Sequence, residues 1–162
     1  MALPHSRIIG ISAGENHCVV VGEDAVYGIG DNSEGQLGFE HSRNSGLELK
    51  IIRFKVRARI VGVSCGWYHT LLLDEIGSVY SSGRGDNGEL GRGKTRSSNT
   101  FEYVLSGACQ VSAGKDHSLA LCGPKVLGWG SSSEGQLGQL VAKRYFAPQE
   151  LNIYPCTFIF SG

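Results

Sequence analysis

The chain contains one sequence unit written three times, in residues 12–38, 64–91 and 112–138. Each copy opens with a Gly-x-x-His motif and closes with a Gly-x-Leu-Gly motif. Corresponding glycines recur about every fifty residues, and a period of this length is typical of stacked units that cannot bury their apolar faces alone. The repeat therefore constrains the fold more than any other feature of the sequence.

Turn residues divide each unit into short runs that are typical of β-strands. In the second unit, apolar or β-branched runs occupy residues 60–63, 70–73 and 78–81. Such runs are long enough for strands and too short for helices. After the first unit, apolar residues alternate with basic ones over 54–60, which predicts a fourth strand there. Four antiparallel strands per unit predict an all-β fold, a partial and open β-propeller of about three four-stranded blades.

The repeat also suggests how the chain is divided. We expect a single repeat domain over residues 1–162, with blades at 8–59, 60–107 and 108–157 and a truncated fourth unit beginning at 158–162. Three blades would leave an apolar face open at each end of the arc. We therefore expect the chain either to be a piece of a longer propeller or to bury these faces, with Phe158 and Phe160 at one of them, against a partner or a second copy of the chain.

The motifs resemble those of the regulator of chromosome condensation repeat family. The resemblance rests on Gly-x-x-His followed by a hydroxyl residue at His69-Thr70 and His117-Ser118, on Trp129-Gly130, and on Gly-Gln-Leu-Gly at 35–38 and 135–138. It covers essentially the whole chain. The departures from the pattern are Cys18 after the first histidine, Ile29 and Ser82 at the place of Trp129, and Glu89 in place of glutamine.

Twelve residues recur at equivalent positions, and we interpret them as structural. They are Gly14, His17, Gly30, Gly35, Gly66, His69, Gly83, Gly88, Gly114, His117, Gly130 and Gly135. Three histidines at one repeat position could bind a metal or move protons. A residue that every blade needs is better explained by packing and hydrogen bonding to the neighbouring blade, so we expect no metal site.

Residues 81–98 match three functional patterns at once, namely a dinucleotide fingerprint, a phosphate-binding P-loop and an Arg-Gly-Asp adhesion tripeptide. Gly83 and Gly88 belong to a turn that every unit makes, and only Gly85, Gly93, Lys94 and Thr95 are private to this copy. A P-loop needs a following helix, but residues 96–100 have no apolar helical period. We therefore expect no nucleotide site and no cofactor.

Composition and motifs do not point to an enzyme. No pair of carboxylates stands out, and no serine or cysteine is paired by sequence with a histidine outside the repeat, so we assign no catalytic residues. Fifteen Lys and Arg balance fifteen Asp and Glu, and no global charge points to a nucleic acid or a membrane surface. Five cysteines without a Cys-x-x-Cys pair, and apolar runs too short to span a bilayer, predict a soluble protein of the cytoplasm or nucleus.

One charged feature is not repeated. Five basic residues fall within ten positions, at Lys50, Arg53, Lys55, Arg57 and Arg59. They can protect an outer edge strand from unwanted pairing, or they can form a weak docking patch for a polyanion such as chromatin. We favour the protective interpretation.

These observations support two functional hypotheses. The first is a protein-protein interaction module whose loops bind an intracellular protein partner on a rigid scaffold. The second follows from the resemblance, because the founding type of the family is a guanine nucleotide exchange factor for a small GTPase that also docks on chromatin. Exchange requires a shaped protein surface and no covalent chemistry. Because fold alone does not fix function, we prefer the interaction module.

Overall fold

A computed structural model describes residues 7–39, 49–52, 58–138, 143–153 and 156–161. These residues form twelve β-strands and no helix. The strands are β1 Ile8–Ala13, β2 His17–Gly22, β3 Val26–Gly30, β4 Lys50–Ile52, β5 Ile60–Cys65, β6 His69–Asp74, β7 Val79–Gly83, β8 Ser98–Leu105, β9 Gln110–Ala113, β10 His117–Cys122, β11 Lys125–Ser131 and β12 Arg144–Glu150. Nowhere in the described ranges is there a helix long and apolar enough to cross a membrane.

The strands form three antiparallel sheets of four, each in simple sequence order: β1 to β4, β5 to β8, and β9 to β12. The first strands of neighbouring sheets lie side by side and are joined by a serine hydroxyl. Ser12 Oγ accepts from the backbone N–H of Cys65 at 2.9 Å, and Ser64 Oγ accepts from that of Ala113 at 2.9 Å. The predicted architecture, an open propeller of three blades, is confirmed.

The predicted fourth strand of the first blade is wrong in position. β4 is Lys50–Ile52, paired with β3 through Val26 and Ile52, and Ile60 belongs to β5 of the second blade. Residues 53–57 lie outside the described part of the chain. Alternation of apolar and polar residues predicts strand conformation, but it does not say where one blade ends and the next begins.

Apolar side chains fill both gaps between the blades. Between the first and second blades the cluster includes Val19, Leu37, Ile52, Leu72 and Phe101. Between the second and third blades it includes Leu71, Val79, Val111, Ala120 and Trp129. Every residue of β6 is buried, because successive side chains of a strand point to opposite faces and the middle blade is covered on both.

The described tail, residues 156–161, lies against β9. Gln110 exchanges two hydrogen bonds with the backbone of Ile159, at 3.0 and 3.1 Å, and Ser112 Oγ accepts from the N–H of Ser161 at 2.8 Å. The tail thus takes the place beside β9 that β9 takes beside β5. Ile159 is buried, whereas Phe158 and Phe160 on either side of it are 69% and 85% exposed.

Candidate functional site

The Gly-x-x-His turns connect the first and second strands of each blade. In each turn the glycine N–H donates to the histidine carbonyl, at 2.8 Å for Gly14 and 2.9 Å for Gly66 and Gly114. The imidazole lies directly on the glycine of its own turn, so a Cβ at Gly66 would overlap His69 and the Gly114 carbonyl of the next blade. Only glycine fits at this position because the ring and the neighbouring turn occupy the space of a side chain.

The first histidine joins the first blade to the second. His17 Nε2 lies 2.9 Å from Thr70 Oγ1, and that hydroxyl lies 2.8 Å from the carbonyl oxygen of Gln36. A carbonyl can only accept, so the single hydroxyl proton goes to Gln36. His17 must therefore donate from Nε2, which fixes the neutral tautomer with Nδ1 unprotonated.

The second histidine makes the same connection between the second and third blades. His69 Nε2 lies 2.8 Å from Ser118 Oγ, which donates to the Glu89 carbonyl at 2.8 Å. Trp129 Nε1 donates to the same carbonyl, also at 2.8 Å. His117 is buried at the equivalent place in the third blade, and within the described residues its side chain makes no hydrogen bond.

Burial keeps these imidazoles neutral. Desolvation lowers the pKa of His17 to about 4 and that of His69 to about 3, and it also lowers the pKa of His117. Nδ1 of His17 and of His69 is buried without a hydrogen-bond partner. No group of three or more potential ligands among the described residues could hold a metal ion.

The other repeated glycines lie at the same blade ends. Gly30, Gly83 and Gly130 stand opposite His17, His69 and His117 in the strand ladders. Gly35, Gly88 and Gly135 have positive φ angles of 83°, 86° and 76°. At Gly88 a Cβ would also come within 2.8 Å of the Tyr145 carbonyl on the third blade, whereas at Gly135 nothing lies within 4 Å. These turns therefore contact the following blade where one is present.

Two residues between the glycine and the histidine of each turn vary among the units, and we call the surface they form with Arg84 the turn face. They are Glu15 and Asn16, Trp67 and Tyr68, and Lys115 and Asp116. Lys115 Nζ lies 4.0 Å from the centroid of the Trp67 ring. Trp67 and Tyr68 meet edge to face with their centroids 6.2 Å apart. Trp67 is nevertheless 39% exposed.

Arg84 contacts residues of two neighbouring turns in the turn face. Its guanidinium carbon lies 4.5 Å from the centroid of the Tyr68 ring, and the group forms ion pairs with Asp116 and, at 3.3 Å, with Glu89. Glu89 is 1% exposed, and burial raises the pKa of its carboxyl. The Asn87 N–H also donates to this carboxylate at 2.8 Å. An aromatic and cationic cluster thus spans the second and third blades.

Sequence reasoning did not predict the turn face. One indication was present in the sequence. The two residues between the glycine and the histidine of each Gly-x-x-His motif differ among the three units, so these positions can carry different side chains without disturbing the fold. A second indication was that the second unit departs from the pattern at two positions together. It has Glu89 in place of glutamine, and it has Arg84 where the other units have Asp31 and Ser131. Only an alignment of the three units connects these two departures.

The structure describes two members of the predicted basic patch. Lys50 Nζ lies 5.7 Å from the centroid of the Phe39 ring, and Arg59 pairs with Glu75 at 3.7 Å. Arg53, Lys55 and Arg57 lie outside the described residues. The two described cations therefore have partners within the chain.

Gly93 and Lys94, which complete the P-loop pattern, are not followed by a helix. The element that follows them is β8, the outer strand of the second blade. A P-loop holds phosphates at the amino end of a helix, and that element is replaced here by a strand. Arg84, the arginine of the Arg-Gly-Asp tripeptide, forms ion pairs with Glu89 and Asp116.

Three like blades, linked in series by a histidine and a hydroxyl, define a repeat β-propeller without an evident catalytic constellation in its described part. The chain belongs to the family of the regulator of chromosome condensation (RCC1) repeat, which confirms the resemblance read from the sequence. One model of this repeat matches residues 23–73 and 77–121, and a second matches residues 60–89.

Relatives at this level of similarity are much longer proteins. The human X-linked retinitis pigmentosa GTPase regulator is 33% identical over 88% of this chain and 15% of its own length. The human probable E3 ubiquitin-protein ligase HERC6 is 38% identical over 78% of this chain and 13% of its own length. The crystal structure of human WBSCR16 superposes with a TM-score of 0.80 and 28% identity, covering 91% of this chain and 40% of that one.

Proposed function

We propose that this chain is a non-catalytic protein-protein interaction module that binds an intracellular protein partner through the turn face. The observation that supports the proposal most strongly is the exposed Trp67 ring, flanked by Tyr68 and Lys115 on turns that backbone hydrogen bonds close. Tryptophan, tyrosine and arginine are the residues that dominate binding energy at protein interfaces. A rigid backbone lowers the entropic cost of presenting them.

The charges of the turn face favour a partner of mixed polarity. Glu15 and Asp116 stand near the same blade ends as Lys115 and Arg84. Such a surface selects its partner by complementary charge around an aromatic centre. All five cysteines are free, which agrees with a partner in the reducing cytoplasm or nucleus.

Capture from cell extract with matched variants tests the proposal. The purified chain, its Trp67→Ala variant and an Ile76→Ala control are immobilised, and bound proteins are quantified by mass spectrometry. Ile76 is 74% exposed at the opposite end of β6 and therefore controls for the loss of any exposed apolar side chain. We expect a set of proteins that Trp67→Ala loses and Ile76→Ala retains, with unchanged thermal unfolding. Retention of the same proteins by all three chains would contradict the proposal.

Guanine nucleotide exchange on a small GTPase is the alternative function. It is favoured by the likeness to a protein whose name calls it a GTPase regulator. Exchange factors stabilise the nucleotide-free form of the GTPase. The same capture repeated with nucleotide chelated away distinguishes the two, because preferential recovery of one small GTPase supports exchange and recovery of unrelated proteins supports scaffolding.

A further inference from the structure

A cleft of about 820 Å³ lies between the outer strands of the second and third blades. Its walls are the loop that follows Gly91, the adjoining β8 and, from β12, Ala147 and Pro148. The volume is near the upper end of the range for ligand pockets, roughly 300–1,000 Å³. It is far larger than one phosphate group needs, and it can accommodate several residues of an extended chain.

Three cations and one carboxylate, Glu102, line this cleft, and the charge of Lys94 contributes with that of Arg92 to lowering the pKa of the Glu102 carboxyl. Arg92 pairs with Glu102 at 2.7 Å and donates to Ser81, so its charge is used within the blade. Lys94 and Arg96 are exposed, and in the part of the chain that the structure describes their side chains form no ion pair or hydrogen bond. The cleft therefore presents a net positive charge to an incoming ligand.

The segment that carries these two cations is as long as the corresponding connection of the third unit, because Ser98 pairs with Gly83 as Tyr145 pairs with Gly130. In that register Arg96 corresponds to Lys143, whereas Lys94 corresponds to Val141 and is a cation of this copy alone. The Gly93 N–H donates to the Phe146 carbonyl of β12 at 2.6 Å, which fixes the loop against the third blade. A lysine that occurs in only one copy of a repeat, on a loop anchored between two blades, is typical of a feature that serves recognition and not the scaffold.

The wall formed by β8 adds main-chain groups to the cleft. β8 pairs with β7 along one edge, and no strand among the described residues pairs with its other edge. Asn99, Thr100 and Tyr103 of this strand are exposed. An unpaired edge offers alternating N–H and C=O groups to an extended peptide.

We propose that this cleft binds an extended acidic segment of a partner protein. The carboxylates of the segment pair with Lys94 and Arg96, and its main chain lies along the free edge of β8. Two exposed cations are too few for tight binding to a nucleic acid backbone, whose affinity depends on the number of phosphates neutralised. An extended chain uses both the charge and the strand edge, and it fills the volume.

Fluorescence anisotropy with a labelled octapeptide of alternating Glu and Thr tests the proposal on the whole chain. The double variant Lys94→Glu/Arg96→Glu should weaken binding at least about tenfold, because two attractive charges become repulsive. The control Arg7→Glu/Lys125→Glu makes the same change in net charge at exposed sites outside the cleft and should leave binding within about twofold. Trp67→Ala should also leave it unchanged, which separates this result from the test of the turn face.

Two further probes complete the experiment. A Gln and Thr octapeptide should bind far more weakly, and N-methylation of alternate peptide nitrogens should weaken the acidic peptide because it removes donors to β8. No binding at low salt, equal binding of the Gln peptide, or equal loss in both double variants would overturn the proposal. Preference for a single-stranded RNA of equal length would overturn it as well.

Discussion

At the scale of single residues, the repeated histidine is a neutral hydrogen-bond donor that links two blades. We predict that His69→Ala lowers the free energy of unfolding by about 1–3 kcal/mol, because Ser118 is left without the donor it now has. His117→Ala is the matched control, since its side chain has no hydrogen-bond partner in the described residues. Urea unfolding of both variants measures the difference. Equal losses would show that ring packing, and not the link to the next blade, determines the effect.

The same histidines predict how stability depends on pH. Their pKa is lowered from 6.5 to about 4 at His17 and about 3 at His69, so below pH 6.5 the unfolded chain binds protons that the folded chain does not. The free energy of unfolding should therefore be highest above pH 6.5 and should fall as the pH drops towards 4. Unfolding midpoints at a series of pH values test this. The slope should be shallower in His69→Ala, and an equal slope in both proteins would contradict the assignment.

The repeat positions of these residues could be found from the sequence, but their partners could not. The spacing of Gly66 and His69 shows that a turn needs both. That the histidine reaches Ser118, 49 residues away, depends on the distance between blades. The turn face escaped prediction for a related reason: Trp67 and Lys115 are far apart in sequence and meet only because two equivalent turns are neighbours.

At the scale of elements, an ion pair in the second unit replaces the hydrogen bond that a glutamine donates to an aspartate in the first unit. In the first unit Gln36 Nε2 donates to Asp31 at 3.1 Å, and in the second unit Glu89 pairs with Arg84. We predict that Arg84→Ser lowers the free energy of unfolding by roughly 1–3 kcal/mol, less than a fully buried pair would cost because Arg84 is partly exposed. The loss arises because the Glu89 carboxylate stays buried without its cation.

The double variant Arg84→Ser/Glu89→Gln provides the test. It reproduces the Ser131 and Gln136 combination of the third unit, and it should recover much of the stability lost in Arg84→Ser. Denaturant unfolding of the two single variants and the double variant closes the thermodynamic cycle. Additive losses would mean that the two residues act independently.

Strand content could be predicted from the sequence, but strand pairing could be predicted only in part. Short apolar runs between turns indicated β6 and β7 because each run is bounded by glycine or by the repeated motif. The error lay at β4, where a strand of only three residues is followed in the sequence by a longer alternating run that extends to the first residue of β5. Alternation records which face of a strand is buried and carries no information on its neighbour.

At the scale of the whole molecule, the two ends of the arc differ. On β1, Ser12 points towards the second blade, and the adjacent Ile11 is 68% exposed on the other face. At the opposite end, Phe158 and Phe160 are exposed on either side of the buried Ile159. Each end therefore presents apolar side chains that the described part of the chain does not cover. Burying a large apolar side chain contributes about 1.5–3 kcal/mol.

We predict that the chain associates with itself, end to end, by bringing the Ile11 end of one copy against the Phe160 end of another. Contact between two different surfaces is heterologous, so it extends into higher oligomers unless its rotation closes a ring. Light scattering over a wide range of protein concentration should show a mass that grows with concentration. Phe160→Ser should shift the chain towards monomer, whereas Ile76→Ala, an exposed apolar residue away from both ends, should not. A monomer at every concentration, unaffected by Phe160→Ser, would show that the exposed ends are stable in water and that three blades suffice.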